Sequence, residues 1–226
     1  MVIGIIAAMS SEMNHISDSL NNKIKHTICG VDFFEGEINN HKVIVSQSGV
    51  GKVNSSINTT LLINNFYPEL VINSGIAGGT KELNTGDFII ADKLTYSDFD
   101  CQVFNYTFGQ VPGMPQYYFS DEKYKKLLED FLTSKGIEYK NSTILTADSF
   151  RLSSKEIKNE ISTSYATEME GASIAQTCYK LQTPFLSFRI ISDILDSENH
   201  IEEYNVFEEK CAKLSSEIII EFIQHI

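Results

Sequence analysis

Only two arginines, Arg151 and Arg189, stand among the 226 residues, and 18 basic side chains face 30 acidic ones, giving a net charge of −12. A surface so poor in positive charge is unsuited to a nucleic-acid backbone or an anionic membrane. There are four cysteines, at 29, 101, 178 and 211, with no C-x-x-C pair, so neither a zinc site nor a dithiol redox motif is indicated. The five histidines form no metal-binding or nucleophile-activating spacing. The apolar start VIGIIAAM has no basic leader and is too short for a signal peptide or a membrane span. The expectation is a cytoplasmic protein with reduced thiols. No internal repeat, low-complexity tract or linker interrupts the chain, so residues 1–226 are expected to form one α/β domain.

The most informative stretch runs from Ala166 to Asp193 and reads as strand, helix, strand. Tyr165–Glu170 is short and ends in acids, and Ala172–Leu181 has helix-forming composition with Ile174 and Cys178 at i, i+4. Pro184 cannot extend that helix, and Phe185–Ile191 is apolar and β-branched. The pattern predicts a parallel strand pair crossed over by a helix, with chemistry at the carboxyl ends of the strands. Glu168, Glu170 and Asp193 all fall at such ends. One acid there would read as a cap or a solvated turn; three in one unit point to a site.

Elsewhere, Val2–Ala8 is a buried-strand run, and Ser10 or Ser11 is expected to cap a first helix ending near Leu20. Strands follow at Ile24–Cys29, Val31–Ile38 and Lys42–Gln47. After Gly51 a helix is expected with Val53, Ile57 and Leu61 on its apolar face. Leu70–Asn73 and Asp87–Leu94 read as strands, and Tyr96–Phe119 as a long functional loop. Tyr124–Leu132 forms an amphipathic helix ended by Gly136, Ser142–Thr146 a strand, and Lys155–Ile161 a short helix. A last helix carries Phe207, Cys211, Leu214, Ile218 and Phe222 on one stripe.

Two glycine-rich segments sit where ligand loops occur. Ser48-Gly49-Val50-Gly51-Lys52 lies between a strand and a helix, yet Ser46 and Val53 break the phosphate-loop pattern and Asn54 breaks the dinucleotide one. What remains is a tight turn that brings backbone close to a ligand or to a neighbouring strand. Asn73-Ser74-Gly75-Ile76-Ala77-Gly78-Gly79 reads as a second loop, whose exposed N–H groups would suit an oxygen-rich ligand such as a sugar, or as a plain turn. Glu12 falls in the first turn of its helix, where the helix dipole favours acids whether or not they act. Phe150 ends another strand as core or as a stacking platform for a flat ring. With no metal or nucleophile pattern, acid–base chemistry by carboxylates, without metal or cofactor, is the economical reading.

Taken in order, IGIIAAMSSEM, QSGVGKVNSS, VINSGIAGG, FNYTFGQVPGMP, LTADSF, ATEMEGASIA and FRIISD resemble the 5′-methylthioadenosine/S-adenosylhomocysteine nucleosidases. The resemblance covers nearly the whole chain and implies a nucleoside phosphorylase-like fold, in which helices flank a central mixed, twisted sheet. It implies an adenine nucleoside as substrate, a role in methionine salvage and a homodimer. By position, Glu12 would activate the attacking water. Glu170 would hold the ribose 2′- and 3′-hydroxyls, with Met169 beneath the sugar, Glu168 close by and Arg189 near the ribose and the water. Asp193, steadied by Ser192, would bond adenine and protonate it as it leaves. Phe150 would stack on adenine and the backbone of Arg151 would read its edge. Val50 would line the alkylthio pocket, and Ile76, Ala77 and Gly78 would border the sugar. Cys101, Phe104, Tyr106 and Pro112 match a loop that closes the pocket of the partner subunit. The chain departs from the family at Ile76, commonly Ser, at Gly171, usually Ala, and at Cys101, more usually Val or Ala.

The residue types suit the reaction independently. Breaking an adenine–ribose bond builds positive charge on the sugar and negative charge on the base. A protonated carboxyl at adenine N7 and a carboxylate that deprotonates water answer both, as in inverting glycosidases. Asp193 must then carry a proton near neutrality, which burial favours. Three other readings stand beside this one. A phosphorylase would need arginines for phosphate, a futalosine-type hydrolase would use the same acids, and a non-catalytic nucleoside sensor is hinted at by Ile76 alone.

Overall fold

The computed structural model of the chain describes residues 1–80, 82–157, 164–198 and 200–226. The elements begin with β1 (Val2–Ala7), α1 (Ser10–Asp18), β2 (Asn21–Ile28), β3 (Val31–Ile38), β4 (His41–Gln47) and α2 (Lys52–Phe66). They continue with β5 (Leu70–Gly79), β6 (Phe88–Tyr96), β7 (Tyr118–Phe119), α3 (Glu122–Ser134) and β8 (Tyr139–Thr146). The chain closes with β9 (Tyr165–Glu168), α4 (Gly171–Lys180), β10 (Phe185–Ile194) and α5 (His200–His225). Of the helix expected over Lys155–Ile161, the described part is a single 3₁₀ turn, Ser154–Glu156, and residues 158–161 lie outside the described residues.

The ten strands among the described residues join one mixed sheet in the order β10-β6-β8-β9-β5-β1-β4-β3-β2, with β7 on β6. Because β10 also pairs with β5, the strands β5, β10, β6, β8 and β9 close on themselves. β1, β4, β3 and β2 continue outward from β5 as an open wing. Apolar residues on both faces of the central strands explain this burial. Ile3, Ile5, Val43, Val45, Leu70 and Ile72 pack with Met13, Ile16, Phe131 and Phe222 of α1, α3 and α5. The alternate residues Ile44 and Val71 pack with Leu62 and Ile174 of α2 and α4. Period-two alternation thus separates two cores, one on each face.

Three expectations are corrected. First, β9 and β10 are not a parallel pair. β9 runs antiparallel to β5, β10 runs parallel to it, and α4 joins strands of opposite direction. Second, Ser74–Gly79 is no loop, for β5 runs unbroken and fully buried from Leu70 to Gly79. Third, α2 turns its polar side inward. Ser55, Asn58 and Thr59 are buried with Leu62 and Ile63, while Val53 and Ile57 are 69% and 51% exposed. Hydroxyl pairing permits this, since Ser55 and Ser173 oxygens lie 2.6 Å apart and Ser46 donates to Asn58 Oδ1 at 2.8 Å.

Candidate active site

A cleft opens where β1, β5, β9 and β10 end together. Glu12 enters it from the first turn of α1, whose N-cap is Met9 and not either serine. The Glu12 carboxylate caps its own helix, with Oε2 accepting from the N–H groups of Ala8 and Met9 at 2.8 and 3.0 Å. Its Oε1 accepts the Ile76 N–H of β5 at 3.1 Å. Burial raises the Glu12 pKa, against the nearby Arg189 guanidinium and the three N–H groups. A side chain at Gly75 would leave no room for this arrangement. Its Cβ would stand 2.3 Å from Glu12 Oε1 and 2.6 Å from Arg189 Nη1.

The second group hangs on β9 and α4. Glu168 Oε1 accepts the Thr146 hydroxyl, and Oε2 accepts the N–H groups of Glu170 and Gly171 at 2.9 and 2.6 Å. Glu168 therefore anchors the N-terminus of α4, where the helix dipole favours an anion. It also pairs with Arg189 Nη2 at 2.7 Å. Arg189 is 1% exposed, and its Nη2 also donates to Asn73 Oδ1 at 2.5 Å while Nη1 donates to the Ile76 carbonyl at 3.2 Å. Glu170 is free of such clamping, and its Oε1 accepts the Gly51 N–H at 2.8 Å. Burial first, then repulsion from Glu168, pushes its pKa up to about 8.

Asp193 is the penultimate residue of β10, 2% exposed, and accepts the Ser192 hydroxyl. Ser192 also donates weakly to the Ala77 carbonyl at 3.4 Å. Asp193 faces Gly78 across the β5–β10 register, and a Cβ there would approach its Oδ2 to 2.8 Å. Glu12 and Asp193 are thus seated against positions of β5 two residues apart, about 7 Å along a strand.

The cleft gathers Glu12, Val50, Ile76, Ala77, Gly78, Phe150 and Arg151 with Glu168, Met169, Glu170, Arg189, Ser192 and Asp193. Phe150 is 45% exposed at the rim and meets Tyr204 edge-on, ring centroids 5.2 Å apart. Cys101, Phe104, Tyr106 and Pro112 do not line the cleft of their own chain; they lie on the long segment between β6 and β7. Sequence reasoning missed Ala8, Met9, Ser149, Thr167 and Tyr204, which line the cleft, and Asn73 and Thr146, which hold its charged groups. Tyr204 was findable, since it stands three residues before Phe207 and so extends the apolar stripe of α5 by one turn. Its phenol pKa is pushed up to about 12 by burial and by Glu208, Glu12, Asp193 and Glu170.

A buried set of four carboxyls sharing one cleft with one guanidinium, at the meeting point of a mixed sheet, defines a class. The family described as the phosphorylase superfamily matches residues 2–224. The 5′-methylthioadenosine/S-adenosylhomocysteine nucleosidase of Bacillus subtilis (strain 168) is 38% identical over 231 aligned residues, covering all of both chains. That of Staphylococcus saprophyticus is 39% identical over 230, again covering all of both. The S-adenosylhomocysteine nucleosidase of Streptococcus pyogenes, solved in complex with 5-methylthiotubericidin, superposes with a TM-score of 0.94 at 32% identity, covering 100% of this chain and 97% of that one. The Neisseria meningitidis 5′-methylthioadenosine/S-adenosylhomocysteine nucleosidase, solved with methylthio-immucillin-A, gives 0.92 at 30%, covering 100% and 99%. The chain belongs to the phosphorylase superfamily and, within it, to the 5′-methylthioadenosine/S-adenosylhomocysteine nucleosidases.

Proposed function

We propose that this protein hydrolyses the N-glycosidic bond of 5′-methylthioadenosine and S-adenosylhomocysteine, releasing adenine, with Glu12 and Asp193 as its catalytic pair. The observation that carries this reading is that both carboxyls line one cleft and are seated against β5 positions two residues apart, the arrangement of a carboxyl pair acting on opposite sides of a glycosidic bond. Glu12, its raised pKa matched to abstracting a proton from water, generates the nucleophile. Asp193, held by Ser192, donates a proton to adenine N7 as the bond breaks. Glu170, which has no ion pair to Arg189 such as Glu168 makes, takes the ribose hydroxyls above Met169, and Phe150 covers the base beside the Arg151 backbone. Glu168 and Arg189 hold the acids in place, and Val50 borders the 5′ substituent at the rim.

Water rather than phosphate suits the cationic groups. Arg189 spends both terminal nitrogens on Asn73, Glu168 and the Ile76 carbonyl, and Arg151 turns to Ser97 and Glu156. Ile76 reaches Glu12 through its N–H, which any residue but proline would supply, so its side chain gives no ground for a non-catalytic sensor. The working unit is a homodimer in which Cys101, Phe104, Tyr106 and Pro112 close the partner's cleft. The apolar side chains Val53, Ile57, Val103 and Phe104, 51–84% exposed on one chain, support that assembly. Four free thiols suit a cytoplasmic setting. The test is adenine release from 5′-methylthioadenosine in phosphate-free buffer. Full activity there, with a free sugar product, is expected. A requirement for phosphate, with a sugar phosphate formed, would overturn the reading.

A further inference from the structure

The segment Ser48–Lys52 matches neither phosphate-loop pattern, yet its last residue ties together three segments that lead into the cleft from outside its lining. Lys52 Nζ donates to both oxygens of Asp98, at 2.8 and 2.7 Å, and lies 3.5 Å from Asp148 Oδ2. The Lys52 N–H donates to Asp148 Oδ1 at 2.8 Å, and the Asp148 N–H donates to Asp98 Oδ2 at the same distance. The ammonium also stands 5.5 Å from the centre of the Tyr96 ring, at the end of β6. We infer that Lys52, with Asp98 and Asp148, is a positioning device for the nucleoside, setting the adenine wall and the ribose acid together.

Each arm of the clamp leads to a binding group. Asp148 is two residues before Phe150, so fixing it fixes the loop that carries the ring at the rim. Gly51, immediately before Lys52, gives its N–H to Glu170 Oε1, and Val50 before it lines the cleft. Asp98 begins the segment that runs on to Cys101 and Phe104. Gly51 has φ +101°, and a Cβ there would come within 3.2 Å of Asp148 Oδ1, so the turn is shaped to this partner. Without the ammonium, two carboxylates that share one cation would repel each other beside the buried Glu168 and Glu170, and the loop and the turn would separate. The clamp touches no reacting atom, so its loss acts on binding geometry and leaves the proton transfers intact.

The inference rests on the proposed nucleosidase reading, and two readouts keep the two apart. The first is amide hydrogen exchange in the ligand-free protein, comparing wild type with Lys52→Met, Lys52→Arg and Asp148→Asn. Lys52→Met is expected to speed exchange at Gly51 and across residues 147–151, with Lys52→Arg near wild type. The second is steady-state hydrolysis of 5′-methylthioadenosine. Lys52→Met is expected to raise KM about tenfold with kcat within about threefold, Asp148→Asn to act in the same direction, and Lys52→Arg to restore most of the loss. The melting temperature of Lys52→Met should fall by no more than about 3 °C, because a partly solvated ion pair near the surface adds little stability. Wild type that releases no adenine would refute the nucleosidase reading while the exchange data still judge the clamp. Unchanged exchange and KM within about twofold in Lys52→Met, or KM, kcat and melting temperature collapsing together, would overturn the inference.

Discussion

Glu170 and Glu12 show how a single side chain is tuned by its surroundings. Glu170 has an ordinary pKa of 4.5 and is raised to about 8 in the fold by burial and by Glu168. Between those values the folded protein keeps a proton that the unfolded chain has released, so stability falls as pH rises through the window. Glu170→Gln removes the titration. The melting temperature of wild type should therefore drop relative to Glu170→Gln between about pH 5 and pH 8; parallel curves would contradict the assignment. Ile76 was legible as a departure from the family, but not its consequence. The sequence suggests that a hydroxyl is missing from the Glu12 side of the sugar, whereas the backbone N–H makes that contact and the side chain packs with the core. Ile76→Ser should keep turnover equal or raise it by up to about tenfold. It should also cost about 2–4 kcal/mol of stability, read by urea denaturation, because a buried apolar group is deleted. A sharp loss of turnover would mean that the side chain packs on the substrate.

Among the elements, the long amphipathic helix α3 and the apolar strands β1 and β4 were readable because one force, burial of a periodic apolar face, decides each. β5 was misread because its glycines look like loop residues. They mark instead the points where side chains cross a buried strand: Glu12 and Arg189 over Gly75, Asp193 over Gly78, Ile191 and Leu83 over Gly79. Gly75→Ala tests this. The methyl group would displace Glu12 or Arg189, lowering kcat by about a hundredfold, with a stability loss of about 1–3 kcal/mol; near wild-type activity would contradict it. The direction of β9 was not readable, since four residues paired with both β8 and β5 carry no local sign of parallel or antiparallel pairing. The inward face of α2 was missed because hydroxyls and an amide pair off inside, while its apolar stripe faces outward.

At the scale of the whole molecule, the site is assembled from the first turn after β1, the carboxyl end of β5, and the β9–α4–β10 unit near the other end of the chain. That convergence explains why separate motifs in register, rather than any one of them, carried the reading of the site. In the proposed homodimer the outward stripe of α2 and the exposed Val103 and Phe104 would be covered by the second copy. Light scattering should give twice the 25.4 kDa chain mass at assay concentration, and a fully active monomer would contradict the shared pocket. The account as a whole turns on one proton, delivered by a buried carboxyl at the end of β10 to departing adenine. Asp193→Asn keeps the shape of that group and removes the proton, so adenine release from bound 5′-methylthioadenosine in a single turnover measures it directly. The account predicts a rate lowered by about a hundredfold or more in a folded variant that still binds the nucleoside. A variant that keeps more than about a tenth of the wild-type rate would contradict it.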